Sequence, residues 1–450
     1  MSTQLYKKLT EAQGKKFQDP IEIFDEIKTT YHSIIQSYLA PSPLRKSVWL
    51  SELIGGEVWL KLESLNPNGS FKVRGALNAL SELIKNAKVT AGEKLKICAA
   101  SAGNHAQGVA YACRELNCEA HIFLPKGAPL VKRDATEKLG AKLYLVGETL
   151  EEAFEAALKF STEENAHFLH AYNNYDIIIG QSTCAYEMLL QYQHEKNAKN
   201  NSNLSELFPD QPYVCPDYFI CAVGGGGLAA GSALLLKALK TKTKVIGVEQ
   251  EFYNSALNSL QNKSQTSIQK SKSTIADGIA VGLIGNLNYD YMIKYLEKIT
   301  LVDDDSIVKS ILTLCEREHL VSEGAGAVAV AEIMKNPNYY FGKTVVACVS
   351  GGNIDPQLLT RVIARGLHIT GRVLRVCVCV SDKPGGLRKL LQFIAEMEGN
   401  VLDLIHDRTY SEVSVGDVDV ELSLETRNSE HQYSLIEGLE EAGFRPRVRH

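Results

Sequence analysis

Short apolar segments alternate with segments of helical periodicity from about residue 45 to residue 360. The apolar segments KLKICAA, EAHIFLP, DYFICAV, KVIGVE and KTVVACVS have the length and residue types of buried strands. Between them, apolar residues recur at helical spacing, as in the run from Val73 to Ile84. Strands that are apolar on both faces and separated by helices predict a doubly wound α/β fold with parallel sheets.

The pattern predicts two domains. The stretch ARGLHITGR (364–372) is interpreted as a linker, and strand, helix, strand, strand, helix and strand follow it. That order is ferredoxin-like and predicts a small separate domain over residues 366–450. Residues 1–365 form the larger domain, with a smaller subdomain inserted at about 90–190. The Asn- and Ser-rich stretch 191–217 is predicted to be an exposed insertion loop.

Composition excludes some classes of protein. The 450 residues are 45% hydrophobic and 22% charged, as in globular proteins, and a net charge of -5 offers no basic surface for nucleic acid. No apolar run approaches the ~20 residues of a membrane span. The N-terminus has neither a secretory nor a transit pattern, and the ten cysteines form no CxxC pair. We expect a cytoplasmic protein.

A lysine stands where a loop becomes a helix, in NPNGSFKVRGALNAL. The first four residues are typical of a turn, and Ser70 is the predicted N-cap. Lys72 then falls in the first helical turn, where the helix dipole disfavours an ammonium group and favours a neutral amine. Schiff-base chemistry requires such an amine, although this stretch alone also fits an ordinary solvated lysine.

Two further loops follow predicted strands. In SAGNHAQG, Ser101 can cap the next helix, while Asn104 and His105 add polar groups where free N–H groups can bind an anion. The alternative is a capped helix with an incidental histidine. In VVACVSGGNID, Ser350 follows a strand at the same sheet edge, where such folds bind their ligands.

A glycine loop, AVGGGGLAAG, opens another predicted helix. Its four consecutive glycines (224–227) let the backbone wrap closely round an anion such as phosphate. The same loop satisfies G-x-G-x-x-A, and Glu249 ends the next strand, so NAD binding is an open alternative. A lysine, a phosphate cradle and a lone hydroxyl at one edge suit pyridoxal phosphate better, because NAD needs no lysine.

Five segments agree in order and spacing with motifs of a known family: SFKVRGA, SAGNHAQG, GGGG, TIADGIAVG and VSGGNID. Residues 45–365 resemble the fold-type II pyridoxal-phosphate enzymes, in the threonine/serine dehydratase and serine racemase branch. The stretch SDKPGGL (381–387) followed by GNVLDLIHDR resembles an ACT domain, the amino-acid sensor of regulated threonine dehydratases. The resemblance implies a lyase that converts L-threonine or L-serine to 2-oxobutanoate or pyruvate plus ammonia, under effector control.

The resemblance also implies roles for single residues. Lys72 would bond to the cofactor and move the α-proton, Phe71 would pack beside the ring, and Asn104 would hydrogen-bond the phenolic oxygen. Ser350 would face the pyridine nitrogen. The other cofactor residues would hold the phosphate or lie near the ring: Gly224, Gly225, Gly226, Gly227, Leu228 and Glu323. The substrate residues would be Ser101, Ala102, Asn104, His105 and Gly278.

The chain departs from the family pattern at some positions. The usual GQGT is GQST (180–183), and HPF is HAY (170–172), which gives Tyr172 a polar tip beside the cofactor. Glu249 matches one cation ligand of serine racemases, but Ser255 stands in place of the second carboxylate. Glu249 is therefore only a weak metal candidate.

The C-terminal resemblance places an amino-acid effector beside Gly385 and Gly386, with Asn400 offering an amide. A sheet covered on one face can pair through its other face and its edges, so we expect a homodimer or homotetramer.

Three alternatives stay open. The first is a racemase on the same scaffold, against which Ala102 argues, since serine racemases have a proton-donating serine there. The second is an NAD-dependent oxidoreductase. The third is a non-catalytic amino-acid sensor, against which intact Lys72 and Ser350 argue.

Overall fold

The computed structural model describes residues 20–87, 93–197, 214–269, 272–407 and 416–449. The chain divides into two compact units, Met1–Asp355 and Pro356–His450. The predicted linker is wrong, because the helix Pro356–Ile369 runs through most of it. Val362 and Gly366 are both buried on this helix. One packed face of the helix therefore continues past Arg365 and Gly366, where the helical pattern was predicted to end.

The strands of the first unit form two sheets. They are β1 Leu44–Ser47, β2 Glu57–Leu62, β3 Lys96–Ala100, β4 Glu119–Leu124, β5 Lys142–Leu145, β6 His167–Phe168, β7 Tyr218–Ala222, β8 Lys244–Gln250, β9 Lys298–Val302 and β10 Thr344–Val349. The first sheet has the order β1-β2-β10-β7-β8-β9 and is parallel except at β1. The second has the order β5-β4-β3-β6 and is parallel throughout. The predicted α/β class with parallel sheets is confirmed.

Helices connect these strands and pack against both sheets. They are α1 Pro20–Thr30, α2 Gln36–Tyr38, α3 Val48–Leu53, α4 Lys72–Asn86, α5 Asn104–Glu115, α6 Leu130–Lys138, α7 Leu150–Glu163, α8 Tyr175–Asn197, α9 Gly227–Ala238, α10 Ser255–Gln261, α11 Asn286–Tyr295, α12 Asp304–Arg317 and α13 Gly324–Lys335. A short π-helix spans Tyr31–Ile35, and 3₁₀ helices span Glu63–Leu65, Asp277–Ile279 and Pro337–Tyr340.

Helix α4, which begins at Lys72, packs against α8 at a glycine contact. A Cβ atom on Gly180 would lie 2.6 Å from the carbonyl oxygen of Arg74 and 2.6 Å from Cα of Gly75. Any larger residue would push the two helices apart. Because α8 also packs on α9, this contact sets the start of α4 relative to the glycine loop that opens α9.

The second unit forms one antiparallel sheet with helices. Its elements are α14 Pro356–Ile369, β11 Val373–Ser381, α15 Gly386–Glu396, β12 Asn400–Asp407, β13 Asp417–Glu425, α16 Ser429–Glu441 and β14 Arg445–Val448. The order β12-β13-β11-β14 is ferredoxin-like, as predicted. Leu374, Val376, Val378 and Val380, at alternate positions of β11, enter its core.

Part of the predicted insertion loop is helical. Helix α8 continues to Asn197, so the loop prediction is wrong for residues 191–197, and residues 198–213 lie outside the described part of the chain. Among the described residues, we find no helix with the length and apolarity needed to cross a membrane.

Candidate active site

One cavity of about 280 Å³ lies where β3, β7 and β10 end and α4 begins. Parallel strands present the loops at their carboxyl ends to the same edge of a sheet, which is where ligands of such folds bind. The cofactor and substrate residues expected from the sequence all line it: Phe71, Lys72, Ser101, Ala102, Asn104, His105, Gly224, Gly225, Gly226, Gly227, Leu228, Gly278, Glu323 and Ser350.

Lys72 is the first residue of α4. Its Nζ lies 3.3 Å from the carbonyl oxygen of Ala171 and 5.1 Å from the centre of the Phe71 ring. Burial lowers the pKa of Lys72 to about 8, against the opposing charge of Glu323. Desolvation thus brings the neutral amine within reach near neutral pH.

The residue before the helix is Phe71, so the prediction of Ser70 as N-cap is wrong. The Ser70 side chain is buried and its hydroxyl accepts a hydrogen bond from Asn68 Nδ2 at 3.2 Å. The backbone N–H of Phe71 donates to the carbonyl of Ser350 at 3.1 Å. Long-range pairing between the lysine loop and the Ser350 loop, rather than a local cap, therefore positions Lys72.

The prediction that Ser101 caps α5 is also wrong, because this helix begins at Asn104 after Gly103. The hydroxyl of Ser101 instead accepts a hydrogen bond from the backbone N–H of Gly103 at 3.2 Å and shapes the preceding turn. The first N–H groups of α5 have no acceptor within the helix and can bind an anion.

His105 is a neutral side chain in this structure. Burial, followed by the charge of Lys72, lowers the pKa of His105 to about 3. Its Nε2 lies 3.1 Å from the Leu169 carbonyl and must carry the proton to donate there, whereas Nδ1 has no hydrogen-bond partner among the described residues. The side chain can therefore accept but not donate at Nδ1, and only the backbone N–H of His105 could bind a carboxylate.

An amide network holds Asn104 in one orientation. Its Nδ2 donates to Glu323 Oε1 at 2.6 Å, while its Oδ1 accepts from Asn353 Nδ2 at 2.8 Å. Asn353 Nδ2 also lies 2.8 Å from the carbonyl oxygen of Asn68, in the lysine loop. The motif VSGGNID predicts that Asn353 lies at this sheet edge, but sequence reasoning assigned no role to its side chain. It links three loops of the cavity.

Glu323 is a buried carboxyl group on the cavity wall, just before α13. Burial and then the charge of Asp277 raise the pKa of Glu323 to about 7, while the Asn104 amide, Lys132 and Lys72 oppose that rise. Its charge state therefore changes near neutral pH.

The glycine loop turns directly into α9. Gly226 has a φ of +92° and precedes the first helical residue, Gly227. A Cβ atom on Gly225 would lie 2.1 Å from the Tyr172 ring, so only glycine fits there. The N–H groups at this helix start line the cavity and are of the kind that can hold a phosphate. The Tyr172 hydroxyl expected beside the cofactor donates instead to the Leu283 carbonyl at 3.1 Å.

Ser350 supplies a neutral hydroxyl group to the cavity. The side chain is buried, and its Oγ lies 3.3 Å from the carbonyl oxygen of Ala325. On the same wall, a Cβ atom on Gly278 would lie 3.0 Å from Ala325 Cβ and 3.7 Å from Glu323 Oε1. A side chain at position 278 would crowd the wall that Glu323 forms.

Sequence reasoning missed a buried cluster of charged residues behind Lys72, made of Lys61, Glu63, Arg74 and Glu187. Arg74 Nε lies 2.7 Å from Glu63 Oε2, and Arg74 Nη2 lies 2.7 Å from Glu187 Oε1. Lys61 Nζ lies 2.5 Å from Glu187 Oε1. Burial would raise the pKa of Glu63, but Arg74 and Lys61 outweigh it and hold that pKa at about 2. Through these ion pairs the cluster joins β2, the turn Glu63–Leu65, α4 and α8.

Glu249 has a structural partner that accounts for its position. Its carboxylate is buried and accepts hydrogen bonds from the backbone N–H groups of Ala256 at 2.8 Å and Leu257 at 2.9 Å. These bonds cap α10 and bury the carboxyl group, so it is not free to bind a ribose, which removes one support of the NAD alternative. Within the described ranges, no three His, Cys, Asp or Glu side chains form a group able to hold a metal ion.

The expected effector residues belong to the second unit and do not meet within one chain. Gly385, with a φ of +97°, and Gly386 open α15 after the end of β11. Asn400 pairs with Glu425, which pairs in turn with Val373 at the start of β11. With a rise of ~3.3 Å per residue along β11, the glycine turn and Asn400 lie at opposite ends of the sheet, roughly 25 Å apart. The Asn400 amide donates to Glu425 Oε2 at 2.9 Å.

Comparisons with known proteins agree with the kind of site that these residues form. The chain matches the family model described as pyridoxal-phosphate dependent enzyme over residues 35–351. It is 36% identical over 428 residues to an L-threonine ammonia-lyase of Thermotoga maritima, covering 95% of this chain and 99% of that protein. An L-threonine ammonia-lyase of Geobacter sulfurreducens is 33% identical over 394 residues, covering 88% and 91%.

Solved structures show the same fold. The processed form of threonine deaminase isoform 2 from Solanum lycopersicum has a TM-score of 0.66 at 29% identity, over 78% of this chain and 90% of that one. A serine racemase from Dictyostelium discoideum has a TM-score of 0.61 at 27% identity, over 74% and 98%. With the family model and relatives matching most of its length, this chain belongs to the family of pyridoxal-phosphate dependent enzymes.

Proposed function

We propose that this protein is a pyridoxal-phosphate lyase that removes water and ammonia from L-threonine or L-serine, leaving 2-oxobutanoate or pyruvate. The observation that carries the proposal is the single cavity that Lys72 shares with the glycine loop, the 101–105 loop and Ser350. The names of the relatives that match nearly the whole chain support the same reaction.

The donor groups of the cavity fit pyridoxal phosphate. Lys72 offers an amine with a pKa of about 8, and the start of α9 offers N–H groups for a phosphate. Asn104 and Ser350 are neutral polar partners for the oxygen and nitrogen of the ring, with Phe71 and Leu228 as apolar neighbours. When bound, the cofactor withdraws electrons from the α-carbon of the amino acid and labilises its proton and its β-substituent.

The chain's own residues would orient the substrate and move its proton. The Ser101 hydroxyl and the N–H groups at the start of α5 would hold the substrate carboxylate. The neutral amine of Lys72 would accept the α-proton, for which a pKa of about 8 suits work near neutral pH. Glu323 and Asn353 would keep the amide of Asn104 in position.

Ala102 favours elimination over racemisation. It lines the cavity beside Ser101, and a methyl group cannot return a proton to the second face of the α-carbon. We therefore propose keto acid as the main product. The serine racemase alternative lacks its proton donor at this position.

The second unit is proposed to be an ACT-type regulatory domain over about residues 366–450, following a catalytic domain over residues 1–365. An amino-acid effector would bind at the turn of Gly385 and Gly386. Because Asn400 lies at the other end of the same sheet, its amide would reach this effector only from a second copy of the chain. On that ground we propose a homodimer or homotetramer, and the free cysteines support a cytoplasmic location.

The test measures keto acid and ammonia released from L-threonine and from L-serine by purified protein loaded with pyridoxal phosphate. We expect release from at least one amino acid, together with a visible absorption band from the bound cofactor. Lys72→Ala should lose both, since the other lysine among the described residues that line the cavity, Lys132, is held in an ion pair with Asp277. Loaded wild-type protein that released keto acid from neither amino acid would overturn the proposal.

A further inference from the structure

An ion pair spans the wall of the cavity. Lys132 Nζ lies 2.5 Å from Asp277 Oδ2, and both residues line the cavity. Lys132 belongs to α6, which is connected with the second sheet, whereas Asp277 belongs to the loop that carries Gly278. The Lys132 side chain is only 18% exposed and that of Asp277 is 54% exposed. The pair therefore lies at the boundary between the cavity and the solvent.

The loop that carries Asp277 is held on both sides by uncharged donors. The Thr274 hydroxyl donates to Asp304 Oδ1 at 2.6 Å, and the Tyr172 hydroxyl donates to the Leu283 carbonyl at 3.1 Å. These contacts hold the loop whether or not Asp277 is charged. Loss of the Lys132–Asp277 pair would then change the charge at the cavity more than the course of the loop.

Two of the four charged side chains that the described part of the chain places around the cavity form an ion pair. Among the described residues, the charged side chains that line it are Lys72, Lys132, Asp277 and Glu323. The field of the ion pair reaches the interior, since Asp277 raises the pKa of Glu323 whereas Lys132 lowers it. Removing either partner would leave one uncompensated charge near the bound substrate.

We propose that the Lys132–Asp277 ion pair determines substrate specificity by keeping the mouth of the cavity neutral, so that amino acids with a neutral β-substituent are selected over those with an anionic one. This inference rests on the proposed elimination reaction. With Asp277 present, Lys132 offers no net attraction to an anionic group. Without Asp277, Lys132 becomes a cation that attracts such a group.

Three substrates separate charge from leaving-group chemistry. L-Serine, β-chloro-L-alanine and L-serine O-sulfate would each yield pyruvate and ammonia. The α-proton passes to the Lys72 amine, and the electron pair of that bond forms a double bond to the β-carbon. The bond from the β-carbon breaks with its electron pair on the departing oxygen or chlorine, which leaves as water, chloride or sulfate. The enamine that remains becomes an imine and takes up one water, which releases pyruvate and ammonia. β-Chloro-L-alanine and L-serine O-sulfate both have good leaving groups, and they differ in the charge of the β-substituent. The ratio of kcat/KM for O-sulfate to that for chloroalanine therefore reports the charge at the mouth.

Asp277→Asn should raise this ratio about tenfold. The Coulomb energy between two unit charges about 10 Å apart, at an effective dielectric constant of about 20, corresponds to a change in affinity of that order. Lys132→Met should lower it by a similar factor. The exchanged variant, Lys132→Asp with Asp277→Lys, restores a neutral pair and should return the ratio to within about threefold of wild type. Glu297→Gln breaks an ion pair of 2.7 Å with Lys244 away from the cavity and should leave the ratio unchanged.

A binding measurement keeps the test decisive if a variant turns over slowly. Calorimetric titration of each loaded variant with succinate and with butyrate compares a dianion with a monoanion, and Asp277→Asn should favour succinate by the same factor. Ratios that stayed within about twofold of wild type in both assays, in variants that still show the visible cofactor band, would overturn the inference. Absence of keto acid from wild type with all three substrates and with L-threonine would instead overturn the proposed function.

Discussion

Replacement of Arg74 by methionine should unfold the first unit at markedly lower denaturant concentration. The change removes one of two cations from a cluster whose four side chains are at most 2% exposed, leaving Glu63 and Glu187 with Lys61 alone. Removing one partner of a buried ion pair typically destabilises a protein by about 3–5 kcal/mol, since the remaining charge lacks both water and a partner. Full burial of Arg74 places the expected loss in free energy of unfolding within that range.

Urea unfolding followed by tryptophan fluorescence measures this loss. Both tryptophans, Trp49 and Trp59, lie in the first unit, so the signal reports that unit without the second. Lys85→Met is the matched control on the same helix, because it breaks an exposed pair with Glu82 that should contribute less than about 0.5 kcal/mol.

A second variant tests whether charge rather than lost packing explains the effect. Adding Glu63→Gln to Arg74→Met leaves one cation with one carboxylate, so the double variant should recover part of the stability. If Arg74→Met lost no more stability than Lys85→Met, or if the two changes simply added, the electrostatic reasoning would be refuted.

The remaining predictions concern the proposed chemistry and its regulation. The rate at which added pyridoxal phosphate forms its visible band with the apoprotein should rise with pH through about 8, since the neutral Lys72 amine reacts. Glu323→Gln should shift that midpoint to lower pH, because Glu323 raises the Lys72 pKa; an upward shift would contradict the assignment. Ala102→Ser should increase D-serine formation at least severalfold by chiral chromatography, whereas wild type forming D-serine as fast as pyruvate would reverse the choice of lyase over racemase. A chain ending at Gly371 should bind the cofactor and release keto acid yet ignore amino-acid effectors in a rate assay. A full-length enzyme insensitive to every amino acid tested would leave the second unit with only an assembly role.

Local patterns in the sequence were enough to predict the fold class and the loops of the site. Apolar strands and helical spacing report burial on two faces, and strand ends followed by Lys72, the glycine run and Ser350 point to one sheet edge because parallel strands bring their carboxyl ends together. The βαββαβ order of the second unit also follows from local periodicity. These features depend on residues close together in the chain.

The tertiary structure alone decided the contacts between distant residues. Ser70 and Ser101 have the residue type of helix caps, yet both helices begin beyond them. The Ser70 loop pairs with the distant Ser350 loop, and Ser101 accepts a hydrogen bond within its own turn. Arg74 meets Glu187 across 113 residues and Lys132 meets Asp277 across 145, and no spacing rule connects such positions. Whether a charge is solvated or paired depends on which groups the fold brings within about 4 Å, because Coulomb energy in a buried site depends on separation and not on order along the chain.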